Sequence, residues 1–280
     1  MASLKDIKER ISSVNGTLKV TNAMRMVASV KFRRAHKTVE TIIPYQKYLQ
    51  SIFANLMEAG VECTHLTGRR PEKRIAIVAV ASDSGLCGSY NGNIIRALEE
   101  LVAGCDNIEV YPIGKKVRDA SLRMRLNIAE SDPCLSHRLT YERAATFAAH
   151  LEKRYLDEEI DRVVLLYQHL RSAASTEVVC ENFLPIHSEA DTKYVFGLDI
   201  IVEPDINGAV KALLPKLLSS KIYAVLCDAA ASEHASRMIA MQSAGDNAQR
   251  MLSELRLQYN RLRQQAITSQ LLDIVSGTMR

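Results

Sequence analysis

The last 65 residues, Lys216 to Arg280, contain no proline and only two glycines, Gly245 and, close to the end, Gly277. Small or apolar side chains recur along them at steps of three and four: Ala231, His234, Met238, Met241, Gly245, Ala248, Leu252, Leu255, Tyr259, Leu262, Ala266. That spacing, sustained for about five heptads, is the seam of a left-handed coiled coil. A continuous helix over this stretch, at about 1.5 Å per residue, is on the order of 90 Å long. No globular core of a 280-residue chain wraps such a rod. It must pair with another helix, and the pattern predicts a shaft.

The partner is at the other end of the chain. Ser3-x-x-Asp6 has the form of a capping box, and Leu4, Ile7, Ile11, Val14, Leu18 and Thr21 follow at steps of three and four. Ala23, Met24, Val27, Lys31 and Arg34 are expected to extend the stripe until Pro44 bends or interrupts it. Leu49, Ile52, Phe53 and Leu56 resume it, and Gly60 ends the run. The two ends are expected to pair antiparallel, with Gly245 and Ala248 letting the backbones approach closely.

Between them the periodicity changes. Ile75–Ala81 is an apolar run of strand length that ends in the turn-forming stretch 82–88. A helix from about Asn91 to Val102 follows, then a strand at Ile108–Ile113, a helix near Lys115–Arg123 and a helix at Tyr141–Tyr155. Arg162–Tyr167 reads as a third strand, and Ser175–Phe183 and Tyr194–Val202 as two further extended runs. Alternating strands and helices predict a sheet that is at least partly parallel and covered on both faces. Pro204-Asp205-Ile206-Asn207-Gly208 supplies both a stop and the cap of the carboxy-terminal helix. The fold class is therefore α/β: a long antiparallel coiled coil of the terminal helices with an inserted Rossmann-like domain. Its divisions are a coiled-coil helix over 1–60, an α/β domain over 72–204 and a second coiled-coil helix over 205–280.

Charge follows the same division. Residues 1–40 carry +6 and 205–280 carry +3, whereas 41–204 carry −5. A basic shaft suggests a partner that presents carboxylates. No stretch approaches 18 uninterrupted apolar residues, and the first residues lack the apolar core of a leader. The six cysteines show no CxxC or metal-type spacing, which predicts reduced thiols.

No constellation predicts catalysis. Gly85-x-x-Gly88 lacks both GxGxxG and the GK[ST] ending of a phosphate loop, so a tight strand-to-helix turn is the expectation and no cofactor is assigned. Glu233-His234 is not part of HExxH, and the histidines form no ligand set, so no metal is assigned. Between Ala224 and Gln258 there is no aromatic residue to stack on a base, and nucleic acid is not an expected partner. By residues alone the chain reads as a coiled-coil scaffold with an inserted nucleotide-binding-like domain.

Three segments go further. Residues 7–14 and 17–28, ending Thr21-Asn22-Ala23-Met24-Arg25-Met26-Val27-Ala28, resemble the amino-terminal helix of the γ subunits of F-type ATP synthases. Ser232-Glu233-His234-Ala235-x-Arg237-Met238-x-Ala240-Met241 and Tyr259-Asn260-Arg261-x-Arg263-Gln264-x-Ala266-Ile267-Thr268 resemble their carboxy-terminal helix. Ser82-Asp83-x-Gly85-Leu86-Cys87-Gly88 with Asn91-x-Asn93 is similar to the first turn of their central domain. Gly16, Ser84, Gln270 and Thr278 depart from the family pattern.

The resemblance implies a non-catalytic rotor that couples proton flow through a membrane c-ring to ATP synthesis or hydrolysis. The partners it implies are α and β subunits of a catalytic ring, ε and the c-ring, with membrane association only through the complex. It places the chain at the cytoplasmic face of the bacterial inner membrane. It assigns Met24, Arg25, Arg256, Arg261, Arg263 and Gln264 to contacts with β. It sets Leu271, Leu272, Ile274, Val275 and Met279 as an apolar tip in an α/β sleeve, and Glu203 in a foot near the c-ring or ε.

Overall fold

In the computed structural model both ends of the chain are helices, α1 (Leu4–Glu58) and α5 (Ile206–Thr278). Between them lie β1 (Ile75–Val80), α2 (Tyr90–Val102), β2 (Ile108–Ile113), α3 (Lys115–Arg123), β3 (Asn127–Ile128), α4 (Tyr141–Leu156), β4 (Arg162–Ser172) and β5 (Ser175–Leu184). The structure describes residues 3–58, 66, 73–104, 107–129, 135, 139–172, 175–186, 202–203 and 205–278, without the side chains of 58, 273 and 275–278. The expected stop at Gly60 and the extended run at 194–202, apart from Val202, lie outside the described residues. So do Cys63, Cys105 and Cys134, whereas Cys87, Cys180 and Cys227 are free thiols.

Both long helices start as their sequences dictate. Ser3 N–H donates to Asp6 Oδ2 at 2.9 Å and Asp6 N–H donates to Ser3 Oγ at 3.2 Å, a reciprocal box that satisfies two orphan donors. Asp205 Oδ1 accepts from Gly208 N–H at 2.6 Å and caps α5. As expected of one long helix, α1 continues through Pro44, and α5 likewise runs through Pro215. Each proline removes one backbone hydrogen bond, a penalty of about 3 kcal/mol, but buried Val39, Gln46 and Leu49 hold α1 in place on both sides.

The strand order is β3-β2-β1-β4-β5, parallel except for β5, which runs antiparallel to β4. Alternation along β1 sends Ala76, Val78 and Val80 to one face and Ile77, Ala79 and Ala81 to the other. The second face packs on α2 and α3 through Ile94, Leu98 and Val117. The first packs on α4 through Phe147 and Leu151, and on the long helices through Leu49, Phe53, Leu218 and Ile222. Gly114 makes the join of β2 to α3 possible. It sits at φ +104°, and a Cβ there would lie 2.1 Å from Ala81 O. The two residues of β3 carry no local signal and pair only because β2 offers a free edge. β4 runs past Tyr167 to Ser172 because the hairpin to β5 pairs it that far.

The chain packs as two compact units: Met1–Ser29 with Arg237–Arg280, and Val30–Ser236. In the first, the two helices are antiparallel. Arg25 hydrogen-bonds Gln242, and Gly245 faces Leu18, Thr21 and Asn22. The predicted α5 seam is the buried one: Met241, Gly245, Ala248, Leu252 and Leu255 are buried, while Tyr259, Leu262 and Ala266 are half-buried. On α1 the predicted stripe holds from Ile7 to Thr21 and then fails. Ala23, Met24, Val27, Lys31 and Arg34 are all exposed, and Ala28 is buried instead. The buried line keeps a seven-residue step from Thr21 to Ala28. At 3.6 residues per turn, Val27 stands about 120° around the helix from Thr21 and faces away.

Candidate functional site

Doubly wound sheets seat small ligands where the strand order reverses, outside the carboxyl ends of the strands. Here that point lies between β1 and β4, because the chain proceeds β1-β2-β3 in one direction and returns to β4 on the other side. The turn after β1 is occupied with itself. Ser82 N–H donates to Asn91 Oδ1 at 3.1 Å, the Ser82 hydroxyl donates to Ser84 O at 2.7 Å, and Asn91 Nδ2 reaches Cys87 Sγ at 3.1 Å. Asp83 accepts from Lys115 N–H at 2.9 Å, so a carboxylate already stands at the start of α3. Gly88 takes φ +61°, as expected of a tight turn, and the exposed Leu86 takes φ +63°.

α5 lies against the same region. The Tyr90 hydroxyl donates to Ala229 O at 3.1 Å, and Gln168 Nε2 donates to Tyr90 O at 3.0 Å. His169 Nδ1 stands 2.6 Å from Asp228 Oδ2, and Leu170 N–H donates to Asp228 Oδ1 at 3.2 Å. Asp228 and Ala229 of α5 are thus tied to β4 and to the start of α2.

A second cleft, of about 750 Å³, lies against α4 beside β2. Three of its charges are spent on each other. Arg154 bonds Glu109 at 2.7 Å, Glu159 at 2.6 Å and the hydroxyl of Tyr111. Burial opposes the Arg154 charge, but these hydrogen bonds outweigh it and raise its pKa. Among the described residues, no three His, Cys, Asp or Glu side chains gather as metal ligands, and no helix is long and apolar enough to cross a membrane.

The residues singled out in the sequence lie elsewhere, on the outward faces of α1 and α5. Met24 is 39% exposed, and Arg25, Arg256, Arg261, Arg263 and Gln264 are exposed as well. They do not form one cluster. Arg261 and Gln264 line a shallow groove of about 470 Å³ with Gln265, Thr268, Ser269 and Leu272. Arg256 and Arg263, seven residues apart, share a different face of α5. Arg25 is tied to Gln242, which in turn donates to Asp246 at 2.9 Å. Leu271, Leu272 and Ile274 stand exposed near the end of α5, the side chain of Val275 and all of Met279 lie outside the described residues, and Glu203 is exposed just before α5.

The sequence reading missed part of the apolar face of α1. Val20, Met26 and Val27 are more exposed than Met24. The seven-residue step Thr21–Ala28 was the signal that would have turned them outward.

Fold and surface define an antiparallel coiled-coil protein with an inserted α/β domain, its polar donors and apolar side chains displayed along the helices. A family model described as ATP synthase matches residues 3–279. The ATP synthase gamma chain of Bacteroides fragilis is 41% identical over 289 residues, covering 100% of both chains. That of Flavobacterium johnsoniae is 35% identical, covering 99% of this chain and 98% of its own. The chain belongs to the ATP synthase γ chain family, and its role is that of the central rotor of an F-type ATP synthase.

Solved structures agree. A chain from the central stalk and c-ring structure of the Tetrahymena thermophila mitochondrial ATP synthase matches 80% of this chain and 99% of its own, at TM-score 0.62 and 26% identity. One from the Euglena gracilis mitochondrial ATP synthase matches 99% and 93%, at TM-score 0.64 and 17% identity, a likeness of fold.

Proposed function

We propose that the chain is a non-catalytic axle whose coiled coil stands inside a ring of α and β subunits that hold the nucleotide sites. In this reading it divides into a coiled-coil helix over 1–60, an α/β foot over 72–204 and a coiled-coil helix over 205–280. The foot, together with ε, rests on the membrane c-ring, with Glu203 close to that contact. Proton flow turns the axle, and the axle forces open one catalytic site after another. The complex sits on the cytoplasmic face of the bacterial inner membrane, a reading supported by the bacterial relatives.

One observation carries the mechanism: Met24, Arg25, Arg256, Arg261, Arg263 and Gln264 are all exposed on the outward faces of the helices, away from the buried seam. The arginines offer planar donor forks suited to bidentate pairing with carboxylates of β. Because these groups lie on different faces of the helices, each β subunit meets different chemistry at each angle. A neighbour's open–closed balance shifts only through such differential contacts. The exposed Leu271, Leu272 and Ile274, with Val275 beyond them, suit an apolar sleeve that resists rotation little.

Replacing Arg263 and Gln264 together with Ala should slow ATP hydrolysis and synthesis by the assembled complex while the purified chain stays folded. Unchanged rates in a complex verified to contain the variant would remove the assignment. Crosslinking from Glu203 should reach the c-ring or ε, and capture of neither would remove that residue from the foot.

A further inference from the structure

α5 is held on the sheet by two kinds of contact that resist different motions. Leu214, Leu217, Leu218, Ile222 and Val225 bury apolar surface, which is favourable but non-directional. Two polar contacts have direction. Lys221 Nζ donates to Glu181 Oε2 on β5 at 2.6 Å. Asp228 takes His169 Nδ1 on β4 at 2.6 Å through one oxygen and Leu170 N–H at 3.2 Å through the other. Asp228 is 3% exposed, so its carboxylate has no water to fall back on if the helix shifts.

We infer that Lys221–Glu181 and Asp228–His169 form a torque clamp that locks α5 to the β4–β5 hairpin, so that the helix and the sheet turn together. The inference rests on the rotor reading. Lys221 and Asp228 are seven residues apart, so the two pairs share one face of α5, separated by about 10 Å along its axis. Two fixed points at that spacing oppose both sliding and rolling, as one pair does not. The Tyr90 hydroxyl on Ala229 O adds a third tie beside Asp228, from α2. Cys227 and Ala231 are buried beside Asp228, and burial pushes the Cys227 thiol up to about 11. Tyr167, between the pairs on β4, has its phenol raised by burial and then by the Glu181 and Asp228 carboxylates. These four are positioning residues: they act through the helix they hold.

The test uses the complete ATP synthase in membrane vesicles, reading ATP hydrolysis and ATP-driven proton uptake side by side. Lys221→Glu and Asp228→Asn should lower proton uptake per ATP hydrolysed while hydrolysis itself persists, because the ring still turns the helix but the sheet lags. The swap Glu181→Lys with Lys221→Glu restores the pair in reverse and should restore coupling. Thermal unfolding of each purified variant separates a loose clamp from a weak fold. If Lys221→Glu couples as well as the unaltered chain, the clamp is wrong. It is equally wrong if coupling tracks melting temperature alone and the swap gives no rescue. Failure of the unaltered chain to assemble with α and β subunits and pump protons would instead overturn the rotor reading.

Discussion

The two compact units bury apolar surface in different geometries. In Val30–Ser236 the sheet is covered on both faces, so Leu165 and Leu166, neighbours in one strand, are each fully buried against different layers. In the unit of Met1–Ser29 with Arg237–Arg280, a helix has only one neighbour, and burial is confined to one line of residues along each helix. A single seam leaves most of each helix surface exposed. The first arrangement makes a stiff body. The second trades core for display, which suits a subunit that works by being touched from several directions.

Thermal or denaturant unfolding of the purified chain can break this comparison. Leu165→Ala removes a fully buried side chain from a two-sided core and should destabilise its unit by about 3 kcal/mol. Leu252→Ala, at a position 1% exposed in the seam, should lower stability by about 2 kcal/mol, since two helices close a gap more easily than a sheet under two layers. An equal loss at both positions would mean that the seam is as rigid as the sheet core. Gly16→Ala should do the opposite of both. Nothing lies within 4 Å of the added methyl, and the gain in helix propensity is about 1 kcal/mol. A loss at Gly16 would show that the glycine is needed for a bend.

The smallest effect concerns acid. Asp161 accepts from the Arg74 guanidinium at 3.0 Å and from the backbone of Lys73 and Arg74, and these bonds, Arg74 first, hold its pKa below the ordinary 3.8. A depressed carboxylate stabilises the fold fully above its ordinary pKa, and that contribution is lost as pH falls through the folded value. Asp161→Asn should therefore flatten the stability profile below about pH 4 and lower stability at neutral pH. An unchanged slope in the acid range would sink this account of Asp161.

Legibility differed in the same way between the units. The α5 seam could be read from Ala231 to Ala266 because a two-helix interface selects residues by angle alone, and angle is set by spacing. The same logic misplaced Met24 and Val27. Both are apolar, and a step of three from Thr21 looked as good as the true step of seven to Ala28. In the sheet, apolar runs marked β1, β2 and β4, but β3 has two residues and exists only through its pairing with β2. The exposed arginines of α5 could be named from their resemblance to the γ chains. Their separation onto different faces needed the helix itself.

What the sequence determined alone was helix length, the caps at Ser3–Asp6 and Asp205, the α5 seam and the chain's kinship, because each depends on residues near one another along the chain. The tertiary structure decided which side of α1 turns inward after Thr21. It also decided that α5 packs on the sheet beside β4 and β5, and that Lys221 and Asp228 meet Glu181 and His169. Those contacts join residues 40 and 59 positions apart. No local pattern encodes which side chain each will meet, since that choice is made by packing the whole.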